Sequence, residues 1–450
     1  MLRLYDTARG EIVPFSTREE GKVSMYVCGP TVYGPPHVGH GRQTVLYDIL
    51  RRYLTWRGYQ VRHVSNVTDI DDNIIKQANE QGSDPDEVAH TNEQVWWEVM
   101  DALGLERPTD IPHATEYVEK MVALVRELLD RDLAYETSDG VYLDTSRVEG
   151  YGLLALQDLD SLQAGARVEV SEEKRSPLDF VLWKRSKPGE PTWPAPFGDG
   201  RPGWHTECVV MSLDLLGEGF DLHTGGEDLR FPHHENERAQ AIAWGRGFAN
   251  HWMHHAFVEV KGEKMSKSLG NVTNLVDLVA EHDPRAFRLL ILRSHYRSPM
   301  DVTIAAMADA EKALERLDSF ARRTADLPTG EPDPPAVERF ASAMDDDLDT
   351  PAATAVIFDL VRRGNVLLDE GDADAAVPLA AAVRELTGAV GLTLHEDTAV
   401  VPPEIVELGV RRDQARAERD WERADALREQ IQAAGYICED TPEGTVIRLR

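Results

Sequence analysis

Cys28, Cys208, His233 and Glu237 offer two thiols, an imidazole and a carboxylate. Together they are a donor set that suits a borderline divalent cation such as Zn2+. His233 and Glu237 stand at i and i+4, so a helix puts both on one face. No Cys-x-x-Cys spacing marks the site. Buried core cysteines and a surface His–Glu pair would also account for these residue types, and His234 and Glu235 compete for the same roles. His251, His254 and His255 are expected to line or support the site. Near the start, His37-Val38-Gly39-His40 follows a Gly/Pro-rich turn. Two histidines that can donate to phosphate oxygens would there flank Gly39, which lets a nucleotide approach the backbone. Far downstream, Lys264-Met265-Ser266-Lys267-Ser268 concentrates lysines in a chain whose basic residues are mostly arginine. Lys264 and Lys267 could follow a moving pyrophosphate through a transition state. Two phosphate-handling elements with a thiol-binding metal between them point to an ATP-using enzyme whose substrate carries sulfur.

These groups need a scaffold that brings distant segments together. Residues 22–28 read as a short apolar strand, and residues 43–56 carry Val45, Leu46, Ile49, Leu50, Tyr53 and Leu54 at helical spacing. Gly58 closes that helix and residues 59–67 alternate as a second strand. Strand, Gly-rich turn, helix and strand begin an α/β, Rossmann-type doubly wound parallel sheet. A helix is expected over 115–133, a hairpin over 133–143 turning at Asp139-Gly140, a helix over 208–216, a strand over 220–223 and a helix over 232–245. Residues 113–203 read as an insertion. Beyond Arg297 helices are expected over about 301–324, 335–344, 351–368 and 373–390, with Thr350-Pro351 as a helix start. One charged helix over 403–434 and a hairpin over 436–449 would close the chain.

A chain of 450 residues must divide into several cores. No segment is apolar enough to span a bilayer, and the N-terminus lacks a signal-peptide stretch, so a cytoplasmic location without membrane attachment is expected. Three cysteines make no disulfide framework. The 79 acidic residues exceed the 48 basic ones, giving a formal net charge of −31. That repels nucleic acid at low salt, but near molar salt the Debye length is only about 3 Å. The expected alternatives are a salt-adapted protein with local Arg and Lys contacts, or an ordinary acidic enzyme.

In order along the chain, Cys28-Gly29-Pro30-Thr31-Val32-Tyr33, His37-Val38-Gly39-His40, Asn66-Val67-Thr68-Asp69-Ile70-Asp71-Asp72, Pro202-Gly203-Trp204-His205-Thr206-Glu207-Cys208, Phe231-Pro232-His233-His234-Glu235-Asn236-Glu237 and Lys264-Met265-Ser266-Lys267-Ser268-Leu269-Gly270-Asn271 resemble the cysteinyl-tRNA synthetases. Those are class I enzymes with HIGH and KMSKS motifs. The resemblance continues through Met344-Asp345-Asp346-Asp347-Leu348-Asp349-Thr350-Pro351 and Ala424-Asp425-Ala426-Leu427-Arg428 and covers essentially the whole chain. It implies one zinc ion per chain on Cys28, Cys208, His233 and Glu237. It places Gly29, Thr68, Trp204 and Asp228 around the bound amino acid, and Gly39 with His37, His40, Lys264 and Lys267 in ATP binding and catalysis. ATP with Mg2+, L-cysteine and tRNA(Cys) are the implied partners, and a monomer is expected by analogy. Val38, Asn73 and Glu227 depart from the usual pattern. Glu227 bears on the local electrostatics.

The implied organisation has a catalytic domain over 1–112 and 204–250, a connective insertion over 113–203 and a stem-contact region over 251–300. A helical tRNA-binding bundle over 301–392 and a small anticodon-binding domain over 393–450 follow. The related cysteine ligases that use an aminosugar acceptor share the catalytic domain; the helical C-terminal third favours tRNA. The short insertion agrees with the absence of an editing domain, because a required thiolate contact discriminates against serine without one.

Overall fold

The computed structural model describes residues 1–155, 173–259, 274–396, 402–441 and 444–449. Lys264, Lys267 and the rest of the KMSKS-like segment lie outside the described residues. By internal packing the chain forms two compact units, residues 1–315 with 329–393, and residues 316–328 with 394–450.

The first unit is built on a four-stranded parallel sheet. Its central strand β3 (Lys22–Val27) pairs on one side with β4 (Gln60–Ser65) and on the other with β9 (Leu222–Gly226), which pairs with β10 (His251–His255). Helix α1 (Val38–Trp56) makes the crossover from β3 to β4. Strand order therefore reverses between β3 and β9, where a doubly wound sheet opens a crevice at the carboxyl ends of its strands. Both faces are covered, so β3 runs as a nearly continuous buried segment after Lys22. Residues from Tyr26, Val64 and α4 (Val118–Asp130) share one apolar core with Cys28, Cys208, Val209 and Trp252.

Helix α1 starts earlier than its apolar spacing suggests. His37 caps it, accepting from the backbone N–H groups of Gly39 and His40, so the helix begins at Val38 and not near Gln43. The hairpin expected over 133–143 is present as β5 (Ala134–Glu136) and β6 (Gly140–Leu143). They extend through β7 (Phe180–Arg185) and β8 (Gly200–Pro202) into an antiparallel four-stranded sheet. Helix α5 (Trp204–Leu216) begins four residues before Cys208, with Gly203 as its N-cap. Residues 230–234 form one π-helical turn, interrupted by an extended Phe231 at φ −143° and ψ 132°, and α6 (Glu235–Trp244) continues from it, so the helix expected over 232–245 is present.

Helices α2 (Asp72–Gln81) and α3 (Pro85–Ala102) follow β4, and α7 (Leu275–Glu281) and α8 (Pro284–Leu292) precede the C-terminal third. There α9 (Ile304–Arg323), α10 (Pro334–Asp345), α11 (Thr350–Asp369) and α12 (Ala373–Ala389) match the expected helices within a few residues. Asp349, not Thr350, caps α11 by accepting from Ala352, which puts Pro351 in the first turn. In the second unit the single charged helix is two, α13 (Pro403–Ala417) and α14 (Trp421–Ala433). Arg419 adopts a left-handed φ of 61° and Asp420 caps the new helix at Arg423. The hairpin β13 (Tyr436–Thr441) and β14 (Gly444–Leu449) ends the described chain.

Candidate active site

Cys28 is the residue after β3, Cys208 lies in the second turn of α5, and Glu237 lies in the first turn of α6 with His233 just before it. Three separate elements thus deliver four donors to the carboxyl end of the sheet. One ligand atom from each of Cys28, Cys208, His233 and Glu237 lies within 4.8 Å of every other, and all four residues are buried. The Cys28 and Cys208 sulfurs are 3.8 Å apart. His233 Nε2 is 2.8 Å from Glu237 Oε1 and 3.6 Å from Cys208 Sγ. A second overlapping set replaces Cys208 and His233 with His223 and His234. In it His223 Nε2 meets Glu237 Oε2 at 2.6 Å, and Cys28 Sγ is 3.2 Å from His234 Nε2.

The charges in this cluster are set by competition between burial and neighbours. The hydrogen bond from the Cys28 thiol pulls Cys208 down to about 6 against its burial. Burial, reinforced by Cys208 and Glu237, drives Cys28 well above the ordinary thiol range. Burial would lower His233, but Glu237 and Cys208 outweigh it and lift the imidazole to about 10. Burial would raise Glu237, yet His223 and His233 hold it well below the usual carboxylate range. A buried thiolate and a buried carboxylate therefore face one imidazolium and one neutral thiol, which leaves the four donors holding two protons. A divalent cation would displace those two protons and neutralise the same charge. Two sulfurs, one nitrogen and one oxygen fit zinc by number and kind.

Beyond the cluster, Trp204 stacks on His233, ring centroids 4.0 Å apart, and stays 37% exposed. Gly29 N–H donates to Asn66 Oδ1 at 2.9 Å, Asn66 Nδ2 to Thr68 Oγ1 at 3.2 Å, and Thr68 Oγ1 to Glu207 Oε2 at 2.8 Å. A side chain at Gly29 is ruled out, since its Cβ would lie 1.6 Å from the Asn66 carbonyl oxygen. At the start of α1, His37 and His40 stack at 3.7 Å. Each accepts a backbone N–H through Nδ1: His37 from Gly39 and His40, and His40 from His37. Because a backbone amide can only donate, both neutral rings carry their proton on Nε2. Burial, then the neighbouring His37, pushes His40 down to about 3, and burial lowers His37 against the charge of Asp228. Both are neutral donors at neutral pH, so they supply hydrogen bonds and not full charges.

The family model for the tRNA synthetases class I (C) catalytic domain matches residues 14–312, and the DALR domain model matches residues 339–395. A cysteine–tRNA ligase of Halorhodospira halophila is 45% identical over 456 residues, covering 99% of both chains. That of Thermotoga maritima is 43% identical over 455 residues, again covering 99% of both. The chain belongs to the cysteine–tRNA ligase family. The fold agrees: Mycobacterium tuberculosis methionyl-tRNA synthetase in complex with methionyl-adenylate superposes with a TM-score of 0.60 at 16% identity, covering 82% of this chain and 89% of that one.

Within this class I fold, the four expected metal donors converge, and the proposed pocket residues Gly29, Thr68 and Trp204 lie around them. Asp228 follows β9 and acts electrostatically on His37. His254 supports the cluster as expected, bridging Thr7 Oγ1 and His234 Nδ1. His223, His205 and Glu207 were missed by the sequence reading. His223 and Glu207 occupy the strand and helix that carry the named residues, but nothing in their spacing shows which way they face. His205 Nδ1 lies 2.8 Å from His233 Nδ1. Its position beside Trp204 was the available signal.

Proposed function

We propose that the protein activates L-cysteine with ATP to cysteinyl-adenylate and pyrophosphate, then transfers the cysteinyl group to the 3′ end of tRNA(Cys). The convergence of Cys28, Cys208, His233 and Glu237 at the switch point of a class I sheet carries this reading. Zinc held by these four residues would supply a Lewis acid that favours a thiolate over a hydroxyl, and thereby selectivity against serine. In the first step the cysteine carboxylate attacks the α-phosphorus, the bond to the bridging oxygen breaks, and pyrophosphate leaves. In the second, a terminal ribose hydroxyl attacks the adenylate carbonyl and AMP leaves. Neither needs a covalent enzyme intermediate; positioning and hydrogen bonds to the phosphates suffice.

In this scheme the Nε2–H groups of His37 and His40 donate to the phosphate chain, and Gly39 leaves room for it. Lys264 and Lys267 provide the positive charge that two neutral imidazoles cannot, alongside Mg2+ brought with ATP. Trp204 covers the pocket over His233, and the Asn66–Thr68–Glu207 chain fixes its polar wall. Asp228 would receive the substrate ammonium. The supporting test is charging of a tRNA(Cys) transcript by purified protein, with an aminosugar acceptor as control. ATP- and cysteine-dependent charging of the tRNA alone is expected; transfer to the aminosugar alone would overturn the assignment.

A further inference from the structure

Arg42 is 1% exposed, and among the described residues no carboxylate lies within 4 Å of its guanidinium. Its partners are backbone carbonyls: Nη1 donates to Phe257 O at 2.6 Å, and Nη2 to Tyr296 O at 3.0 Å and Ser298 O at 2.6 Å. Burying a cation on carbonyls alone costs stability that an apolar side chain would not, so a gain elsewhere is implied. A guanidinium differs from an ammonium in being a planar fork that fixes several acceptors at once.

What the fork joins is specific. Arg42 sits in the second turn of α1, two residues beyond His40. Phe257 immediately precedes strand β11 (Val258–Glu259), which ends at residue 259. On the other flank, Asn274 pairs with His37, and Leu275 N–H donates to Pro36 O at 3.0 Å. Gly41 tightens that side: a Cβ there would lie 2.8 Å from Phe287 and 2.9 Å from Leu275. Residues 257 and 274 bracket the stretch of sequence that carries Lys264 and Lys267; Arg42 fastens the first to the second turn of α1, and Pro36, His37 and Gly41 hold the second at the start of that helix.

We infer that Arg42 is a positioning residue for the ATP half of the reaction: it anchors residue 257, from which the chain leads towards Lys264 and Lys267, to the helix that follows His37, acting through Phe257, Tyr296 and Ser298 and touching neither substrate. This rests on the proposed function, because it assigns the effect to the ATP half of cysteine activation. Arg42 itself contacts none of the proposed cysteine-pocket residues, although its neighbour Gln43 donates to Cys28 O at 2.7 Å, so loss of the Arg42 fork falls on ATP before cysteine.

The test is cysteine-dependent ATP–pyrophosphate exchange by wild type, Arg42→Met, Arg42→Lys and Gly41→Ala, each with its zinc content and thermal midpoint measured. A displacement of about 1 Å at a reacting group costs roughly 100-fold in rate. For Arg42→Met, kcat/KM for ATP should fall by about that factor, while KM for cysteine and zinc content stay within about twofold of wild type. Arg42→Lys, which keeps the charge and loses the fork, should recover only part. Gly41→Ala, which disturbs the other flank, should share the ATP-selective defect. Equal losses in both substrates, full recovery by Arg42→Lys, or wild-type kinetics in the Arg42→Met and Gly41→Ala variants would overturn the inference. If Arg42→Met does not fold, Arg42→Lys and Gly41→Ala decide. Absence of exchange in wild type would instead defeat the proposed function.

Discussion

At Cys208 one side chain carries both charge and selectivity. Its thiol is drawn down to about 6 by the Cys28 hydrogen bond, and it lies beside His233 in a buried pocket. Replacing it with alanine removes one of four donors and leaves His233 with less negative charge around it. For Cys208→Ala we expect zinc content to fall below half an ion per chain, by loss of one of about four required ligands. Cysteine-dependent exchange should drop by 100-fold or more, the order of a lost first ligand or its orienting partner, with ATP binding retained. Metal analysis with exchange kinetics checks it; unchanged exchange would remove zinc from the account of selectivity. Residue types made these donors a candidate set, but spacing alone left His234 and Glu235 as competitors. Cys28 and Cys208 are 180 positions apart, and only the resemblance singled out His233 over His234. The structure keeps both histidines in contact with the cluster, because each faces one side of Glu237 and Cys28. The neutral state of His37 and His40 was not legible at all, since it depends on burial, and neither was their tautomer, which depends on the ring nitrogen that the backbone amides occupy.

Among the elements, α1 bears the most. His37 caps it, its first turn holds His40, its second Arg42 and its third Asp48, which is buried against α8. Asp48 Oδ2 meets Arg288 Nη1 at 2.6 Å and Arg52 Nε at 2.8 Å, and Asp48 Oδ1 accepts from Glu106 N–H at 3.0 Å. Burial opposes both charges of the central pair. For Asp48 the two arginines outweigh it and hold the carboxyl below its ordinary value, whereas for Arg288 burial prevails and its pKa falls. Removing one partner strands the other, so Asp48→Asn should cost about 3–5 kcal/mol, measured by urea unfolding at neutral pH. Because the folded-state pKa of Asp48 is depressed, its contribution is complete above the unfolded-chain value and fades as pH falls through the folded value. The gap between variant and wild type should therefore close on acidification; a gap that widens in acid would show that another group is responsible. Apolar periodicity located this helix, but its start was misplaced because histidine is not among the usual capping residues. The broken helix at Arg419 was missed for a related reason: no glycine stands at the break to announce a left-handed residue.

For the whole molecule the surplus of acid is the dominant electrostatic fact. A net charge of −31 repels itself at low ionic strength. Screening shortens the reach of that repulsion from about 10 Å at 0.1 M salt to about 3 Å at 1 M. The thermal midpoint should therefore rise as KCl approaches molar; a steady fall across the series would speak against a salt-adapted surface. Not every arginine of the last helices faces water. Arg412 is 5% exposed and donates to Thr445 Oγ1 inside the second unit. Among the described residues no helix is long and apolar enough to cross a membrane. The sequence by itself determined the parallel-sheet class, the order of the helices and the residue types capable of metal and phosphate chemistry, because periodicity and motif chemistry are local properties. Only the tertiary structure decided which donors meet, which imidazoles are neutral, and that Arg42 ties residue 257 to α1 while residues 274 and 275 are held at Pro36 and His37. Those outcomes depend on through-space distance and burial, which spacing along a chain does not encode.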